Sequence, residues 1–236
     1  MIRALIVDDE LHAREELQIM LQEIGAFEVI GSCANALEAL KVIYRERPEV
    51  LFLDIQMPVL NGFELLSMID PDLMPHVVFV TAYDTYALKA FEEKTLDYLL
   101  KPVEKKRLEK TIEKVLRALQ ETAHPLYESP GIRRIPCVFA NRIKLIAPQE
   151  VELVRSELSG VHVVGPKGEF FTDLTLRVLE TRTDLVRCHK QYLVNLDQID
   201  EIVLLENGLG EIHTKSGRVV PVSRRYLKTL RDSLKL

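Results

Sequence analysis

The stretch VLFLDIQMP, residues 50–58, carries the first decision: an apolar, strand-like run that stops at a carboxylate, Asp54. Two other runs end in the same way. ALIVDDE (4–10) stops at Asp8 and Asp9, and DYLLKP (97–102) stops at Lys101. In an open parallel α/β sheet the carboxyl ends of the strands gather at one edge, where ligands bind. Segments far apart in the chain then converge there as three carboxylates and one ammonium. Carboxylate oxygens suit a hard cation such as Mg²⁺, which keeps positions open for phosphate, and a lysine can pair with a phosphoryl group. Such an edge is suited to placing a phosphoryl group on a carboxylate.

Outward from these runs the first half alternates strand and helix. FEVIG (27–31) and VVFVT (77–81) complete five strands. HAREELQIMLQEI places Ala13, Leu17, Met20, Leu21 and Ile24 on one face at helical spacing. NALEALKVIYRERP repeats the pattern and stops before Pro48. GFELLSMI, TYALKAFEE and VEKKRLEKTIEKVLRALQ read as three more helices, the last with Leu108, Ile112, Val115 and Leu119 as its stripe. Five βα units predict a doubly wound five-stranded parallel sheet over residues 1–120. Residues 121–133, ETAHPLYESPGIR, lack apolar periodicity and read as a linker.

Residues 134–236 change rhythm to short β-rich runs separated by turn signals such as PKG, ENG and KSG. Only TLRVLETR and the tail SRRYLKTLRDSLKL read as helices. A helix-turn-helix unit needs consecutive well-formed helices, so any DNA binding here would use a β scaffold with loops and a short helix.

Charge divides along the same line: residues 1–120 carry a net −7 and residues 134–236 a net +3. Only the second half is expected to approach a polyanion. The 47% apolar and 28% charged content is ordinary for a soluble globular chain. No run is long enough to predict a membrane helix and MIRALIVDD enters a strand at once, so the expected location is cytoplasmic without direct membrane association. Cys33, Cys137 and Cys188 form no CxxC pair and are expected to be reduced thiols filling apolar gaps.

The order of Asp8-Asp9, Asp54 with MP three residues later and Gly62 beyond, Thr81-Ala82 and Lys101-Pro102 resembles the receiver domain of two-component response regulators, a flavodoxin-like fold. The resemblance implies that Asp54 is the phospho-acceptor. It implies that Mg²⁺ is held by Asp9 directly, by Asp8 more often through water, by Asp54 and by the backbone carbonyl of Gln56. Thr81 and Lys101 would bind phosphoryl oxygens, Tyr98 would be the switch aromatic, and the peptide before Pro102 would be cis.

In the second half, LVRCHKQYLVNLDQI, VPVSRRYLKTL, EVELVRSELSGVHVV and FFTDLTLRVLET resemble the LytTR DNA-binding domain, a mainly β fold. Together the halves resemble the LytR/AlgR family of transcriptional response regulators. That resemblance implies a membrane sensor histidine kinase of the LytS type as partner, a homodimer when phosphorylated, and double-stranded DNA bearing paired direct repeats. Three loops are expected at DNA: Ser159-Gly160, His189-Lys190 and Ser223-Arg224-Arg225. His189 suits a DNA contact or a hydrogen-bonded core position equally well. Better-known members often carry a polar base reader where Gly160 and Lys190 stand here, which moves the base-reading expectation to Arg224. An enzymatic output would need a motif such as G-x-S-x-G, HExxH or a P-loop, and none occurs, so no catalytic residue is expected. An RNA-binding output would need aromatic residues patterned on a strand face, which FF at 170–171 and Tyr192 do not form.

Overall fold

The computed structural model describes residues 1–82, 95–121, 131–139, 142–205 and 208–234. The chain divides into two compact units, Met1–Pro130 and Gly131–Leu236.

In the first unit, β1 (Ile2–Val7), β2 (Phe27–Cys33), β3 (Val50–Leu53), β4 (His76–Thr81) and β5 (Asp97–Leu100) pair in parallel in the order β2-β1-β3-β4-β5. Strand residues alternate between faces. Val50, Phe52, Val78 and Val80 therefore turn to one side, where they pack with Leu17 and Leu21 of α1 (Leu11–Ile24) and with Leu108, Ile112 and Val115 of α4 (Lys105–Gln120). Leu51, Leu53, Val77 and Phe79 turn to the other side and are equally buried. There Phe79 meets Phe63 of α3 (Gly62–Met68), with ring centroids 5.0 Å apart. Burial on both faces explains why β3 and β4 read as unbroken apolar runs.

Local chemistry sets the helix ends. The Asn35 side chain accepts from Glu38 N–H at the start of α2 (Ala36–Glu46). Asn61 and Glu64 form a reciprocal capping box at the start of α3. Gly25 ends α1 at φ 73°, the left-handed position that favours glycine. The helix predicted at TYALKAFEE, and all but Glu121 and residues 131–133 of the predicted linker, lie outside the described residues. Ile132 is buried and donates to the Arg182 carbonyl at 2.7 Å, so chain just before residue 134 is held in the second unit.

The second unit contains a seven-stranded antiparallel sheet and a three-stranded one. The larger comprises β6 (Ile135–Phe139), β7 (Arg142–Ile146), β8 (Leu153–Glu157), β9 (Gly160–Gly165), β10 (Gly168–Thr172), β11 (Val186–His189) and β12 (Tyr192–Val194), ordered β11-β12-β8-β9-β10-β6-β7. The smaller comprises β13 (Ile199–Leu204), β14 (Gly210–Thr214) and β15 (Val219–Val222). Their core joins Leu153, Val164, Cys188 and Val194 of one sheet to Ile212, Val220 and Val222 of the other. Leu230 of α6 (Arg224–Leu234) closes it, and α5 (Leu176–Arg182) is capped by the Thr175 hydroxyl.

β11 is not legible in the sequence as a strand. Val-Arg-Cys-His is too short to show alternation, and its pairing with β12 comes from the register Val186↔Val194. Cys33, Cys137 and Cys188 are all buried, and burial pushes their thiols up to about 11, 12 and 12 respectively.

Candidate functional site

The carboxyl ends of β1, β3, β4 and β5 bring Asp8, Asp54, Thr81 and Lys101 to one edge, at the point where the chain order reverses about β1 and β3. Ligand oxygens of Asp8, Asp9 and Asp54 all lie within 4.8 Å of one another. Asp8 and Asp54 are buried and Asp9 is exposed. Lys101 Nζ lies between the buried pair, 2.7 Å from Asp8 Oδ2 and 3.1 Å from Asp54 Oδ2, with Glu10 Oε2 at 3.4 Å. The Lys101–Pro102 peptide is cis, as the resemblance implied.

Electrostatics follow from this crowding. Burial pushes the Asp8 carboxyl above its ordinary value, against the pull of Lys101 and the Glu10 amide. Burial also works against the charged lysine, but Asp8 and Asp54 outweigh it and hold Lys101 above the ordinary lysine value. The Asp54 carboxylate accepts from the Gln56 amide at 3.3 Å. Behind it the backbone leaves no room: a Cβ on Gly62 would come within 2.5 Å of the Asp54 carbonyl oxygen.

Thr81 is fully buried, and among the described residues its Oγ1 has no hydrogen-bond partner. A buried hydroxyl left unpaired is costly. A groove of about 360 Å³ opens between Glu10, His12, Ala13, Ala82, Lys101 and Pro102, so of the residues at this edge it reaches Glu10 and Lys101. The donor set fits a hard divalent cation and an anionic group together: three carboxylates for the cation, and an ammonium and a free hydroxyl for the anion.

Tyr98 lies half-buried on β5, and its carbonyl accepts from Arg107 of α4 at 2.8 Å. The neighbouring Asp97 is the centre of a network not anticipated from the sequence. Arg107 binds both its oxygens at 2.8 and 2.7 Å, with Lys114 at 2.9 Å and the Thr111 hydroxyl at 2.7 Å. Burial would raise the Asp97 carboxyl, but these donors override it and hold it far below the usual carboxylate range.

In the second unit the three predicted loops are tied together. Ser156 N–H donates to Gln191 O at 2.8 Å, setting the β11–β12 turn against the end of β8. Ser223 N–H donates to Cys188 O at 3.1 Å, setting the start of α6 against β11. Ser159 and Lys190 are exposed on turns. Arg224 and Arg225 are the first residues of α6 rather than loop residues, and Arg225 lies 5.5 Å from the Tyr226 ring centroid. His189 is neither core nor free: its Nδ1 accepts from Gln191 N–H at 3.2 Å and its ring leans on Tyr192. Burial, then Lys190 and Arg187, push its pKa below the ordinary histidine value. A neutral ring accepting at Nδ1 carries its proton on Nε2.

A doubly wound sheet with this acidic edge, joined to a β unit presenting basic loops, defines a switch domain coupled to a separate output domain. Residues 4–113 match the response regulator receiver domain family, and residues 141–235 match the LytTr DNA-binding domain family. A response regulatory protein of Vibrio cholerae is 54% identical over 234 residues, covering 99% of each chain. The transcriptional regulatory protein BtsR of Escherichia coli K12 is 48% identical over 239 residues, covering 100% of each. The solved response regulatory domain of mrkE from Klebsiella pneumoniae aligns at TM-score 0.46 and 31% identity, over 50% of this chain and 98% of its own. The chain belongs to the LytR/AlgR family of two-component response regulators, in which a receiver domain precedes a LytTR DNA-binding domain.

Proposed function

We propose that Asp54 accepts a phosphoryl group from a sensor histidine kinase, and that the modified receiver (residues 1–120) promotes dimerisation and DNA binding by residues 134–236 across the linker 121–133. The observation that carries this reading is the unpartnered Thr81 hydroxyl beside a carboxylate already engaged by Lys101. An Asp54 oxygen attacks the phosphorus, the P–N bond to the donor imidazole breaks, and that nitrogen keeps the bonding pair and takes a proton. Lys101 and Thr81 hold the transferred oxygens. Asp8, Asp9, Asp54 and the Gln56 carbonyl would hold Mg²⁺, which when bound would supply charge neutralisation for the phosphoryl group.

The new group adds nearly two negative charges and three acceptors at the sheet edge. Thr81 turns to it, and Tyr98 rotates into the space this vacates. The change biases an existing two-state equilibrium. It is read out on the face that includes β5 and α4. Two linked output domains then occupy paired direct repeats with the gain of effective concentration. Ser159, His189, Lys190, Ser223, Arg224 and Arg225 are assigned to DNA contact. The chain is read as a non-enzymatic regulator acting in the cytoplasm with a membrane sensor kinase of the LytS type. Among the described residues, no helix is long and apolar enough to cross a membrane.

A small phosphodonor with Mg²⁺ is expected to label Asp54 alone, as read by mass spectrometry of the intact chain and its peptides. Asp54→Asn keeps the shape and removes the nucleophile. Labelling of Asp54→Asn at the wild-type rate would sink the assignment.

A further inference from the structure

Four side chains from three adjacent strands and one turn form a continuous relay on the exposed β8–β9–β10 surface. Glu169 of β10 receives Arg155 of β8 at both oxygens, each 2.8 Å from Nη2. His162 of β9 places Nδ1 3.1 Å from Glu169 Oε1 and Nε2 2.9 Å from Ser159 Oγ. Arg155 also reaches Glu157 at 3.2 Å. The ring of His162 is fixed by an edge contact with Phe171, its cross-strand neighbour, at 5.9 Å. The turn itself is fixed as well: Gly160 sits at φ 120°, and a Cβ there would lie 2.4 Å from the Phe171 ring.

The chemistry sets the direction of every proton in this relay. A carboxylate can only accept, so a neutral imidazole beside Glu169 must carry its proton on Nδ1 and donate it there. Nε2 is then an acceptor, and the Ser159 hydroxyl, 2.9 Å away, is placed to donate to it. With that proton committed to His162, the Ser159 oxygen presents only lone pairs to the outside. The same three groups serve nucleophilic catalysis where the serine lies in a pocket facing amide donors. Ser159 stands instead on an exposed turn, so the relay governs hydrogen-bond direction.

We infer that His162 is a positioning residue that makes Ser159 an obligate acceptor, so that Ser159 reads an exocyclic amino group of adenine or cytosine in the DNA major groove. This rests on the reading of the Ser159 turn as a DNA contact. A phosphate offers no donor, so an acceptor-only serine cannot hold the backbone. The flanking carboxylates of Glu157 and Glu169 also repel phosphates. Leu158, at the tip, is fully exposed, which suits insertion among base edges and thymine methyl groups rather than tracking along the backbone. Each base pair shows one amino donor in the major groove. An acceptor at a fixed place therefore reports which strand carries adenine or cytosine.

The test selects duplexes from a randomised library with the full-length chain at about pH 8. Wild type, Ser159→Ala, His162→Phe and His162→Gln are compared. Wild type is expected to favour adenine or cytosine over thymine or guanine at one position by about fivefold, the worth of one net hydrogen bond. Ser159→Ala and His162→Phe should both abolish that preference. His162→Gln, whose amide can donate to Glu169 and accept from Ser159, should restore it. If Ser159→Ala leaves every base preference intact, the turn does not read DNA and both readings fall. If Ser159→Ala loses the preference but His162→Phe keeps it, the turn reads DNA and the relay does not direct it. Loss in both His162 variants would assign the histidine to packing on Phe171, and that too overturns the inference.

Discussion

Replacing Thr81 with Val should stabilise the unphosphorylated protein and weaken its response to phosphorylation. Thr81 is fully buried with Oγ1 unpartnered, so the resting fold carries the desolvation cost of a hydroxyl without its hydrogen bond. That cost is about 1–3 kcal/mol. Valine fills nearly the same volume with a methyl group, and the sheet core around Val80 and Phe79 accepts it without a cavity. With a urea dependence of about 1–3 kcal/mol per molar for a small domain, a gain of about 2 kcal/mol, the middle of that range, should raise the receiver midpoint by about 1 M. The phosphorylated state reverses the comparison. There the hydroxyl gains a charged acceptor, a bond of about 1.5–3 kcal/mol that valine cannot make. The assay is urea unfolding of the full chain with Mg²⁺, with and without beryllofluoride as an acyl-phosphate mimic, following the transition that the mimic moves. Linkage requires the wild-type midpoint to climb further than that of the variant. A Thr81→Val protein less stable than wild type without the mimic would show that Oγ1 has a partner, and would refute the reasoning.

Lys101→Met removes the cation seated between Asp8 and Asp54, leaving two buried carboxylates facing each other. Its metal-free form should lose about 3–5 kcal/mol, as when one partner of a buried ion pair is deleted. Titration with Mg²⁺ should then recover more stability than in wild type, and equal recovery would argue against competition between ammonium and metal. Asp97→Asn should cost about 2 kcal/mol at neutral pH, a discounted figure because Arg107 and Lys114 are partly solvated. Asp97 is depressed in the fold, so its stabilisation is present above the unfolded carboxylate value of about 4 and is lost as pH falls through the lower folded value. Urea midpoints of wild type and Asp97→Asn should therefore differ at pH 7 and converge in strong acid. At the DNA surface, Arg224→Ala should cost about 1–3 kcal/mol on the specific site and relax preference at one base pair. Lys190→Ala should weaken specific and scrambled duplexes alike and lower the salt slope by about one. Uniform loss in Arg224→Ala would remove it from base reading.

Much of the receiver edge could be read directly from the chain. Parallel strands deliver their carboxyl ends to one side whatever the helices between them do, so residues ending separate apolar runs had to meet. Asp8, Asp54, Thr81 and Lys101 are such residues. Helical spacing likewise told the inward face of α4, because Leu108, Ile112 and Val115 recur at its period. The β-rich half was legible as class, through turn signals and short runs, but not as site. Tertiary structure alone decided that Lys101 occupies the gap between two carboxylates and that the Thr81 hydroxyl has no partner, since both depend on distances of a few tenths of an ångström. It alone assembled Asp97 with Arg107, Thr111 and Lys114, which join a strand edge to the helix packed on it. Cross-strand register made Arg155, His162 and Phe171 neighbours, and turn geometry added Ser159. Spacing along a strand records which face a side chain takes. It carries nothing about which residue of the next strand lies opposite, because that register is set by the turns and by the packing of the whole sheet.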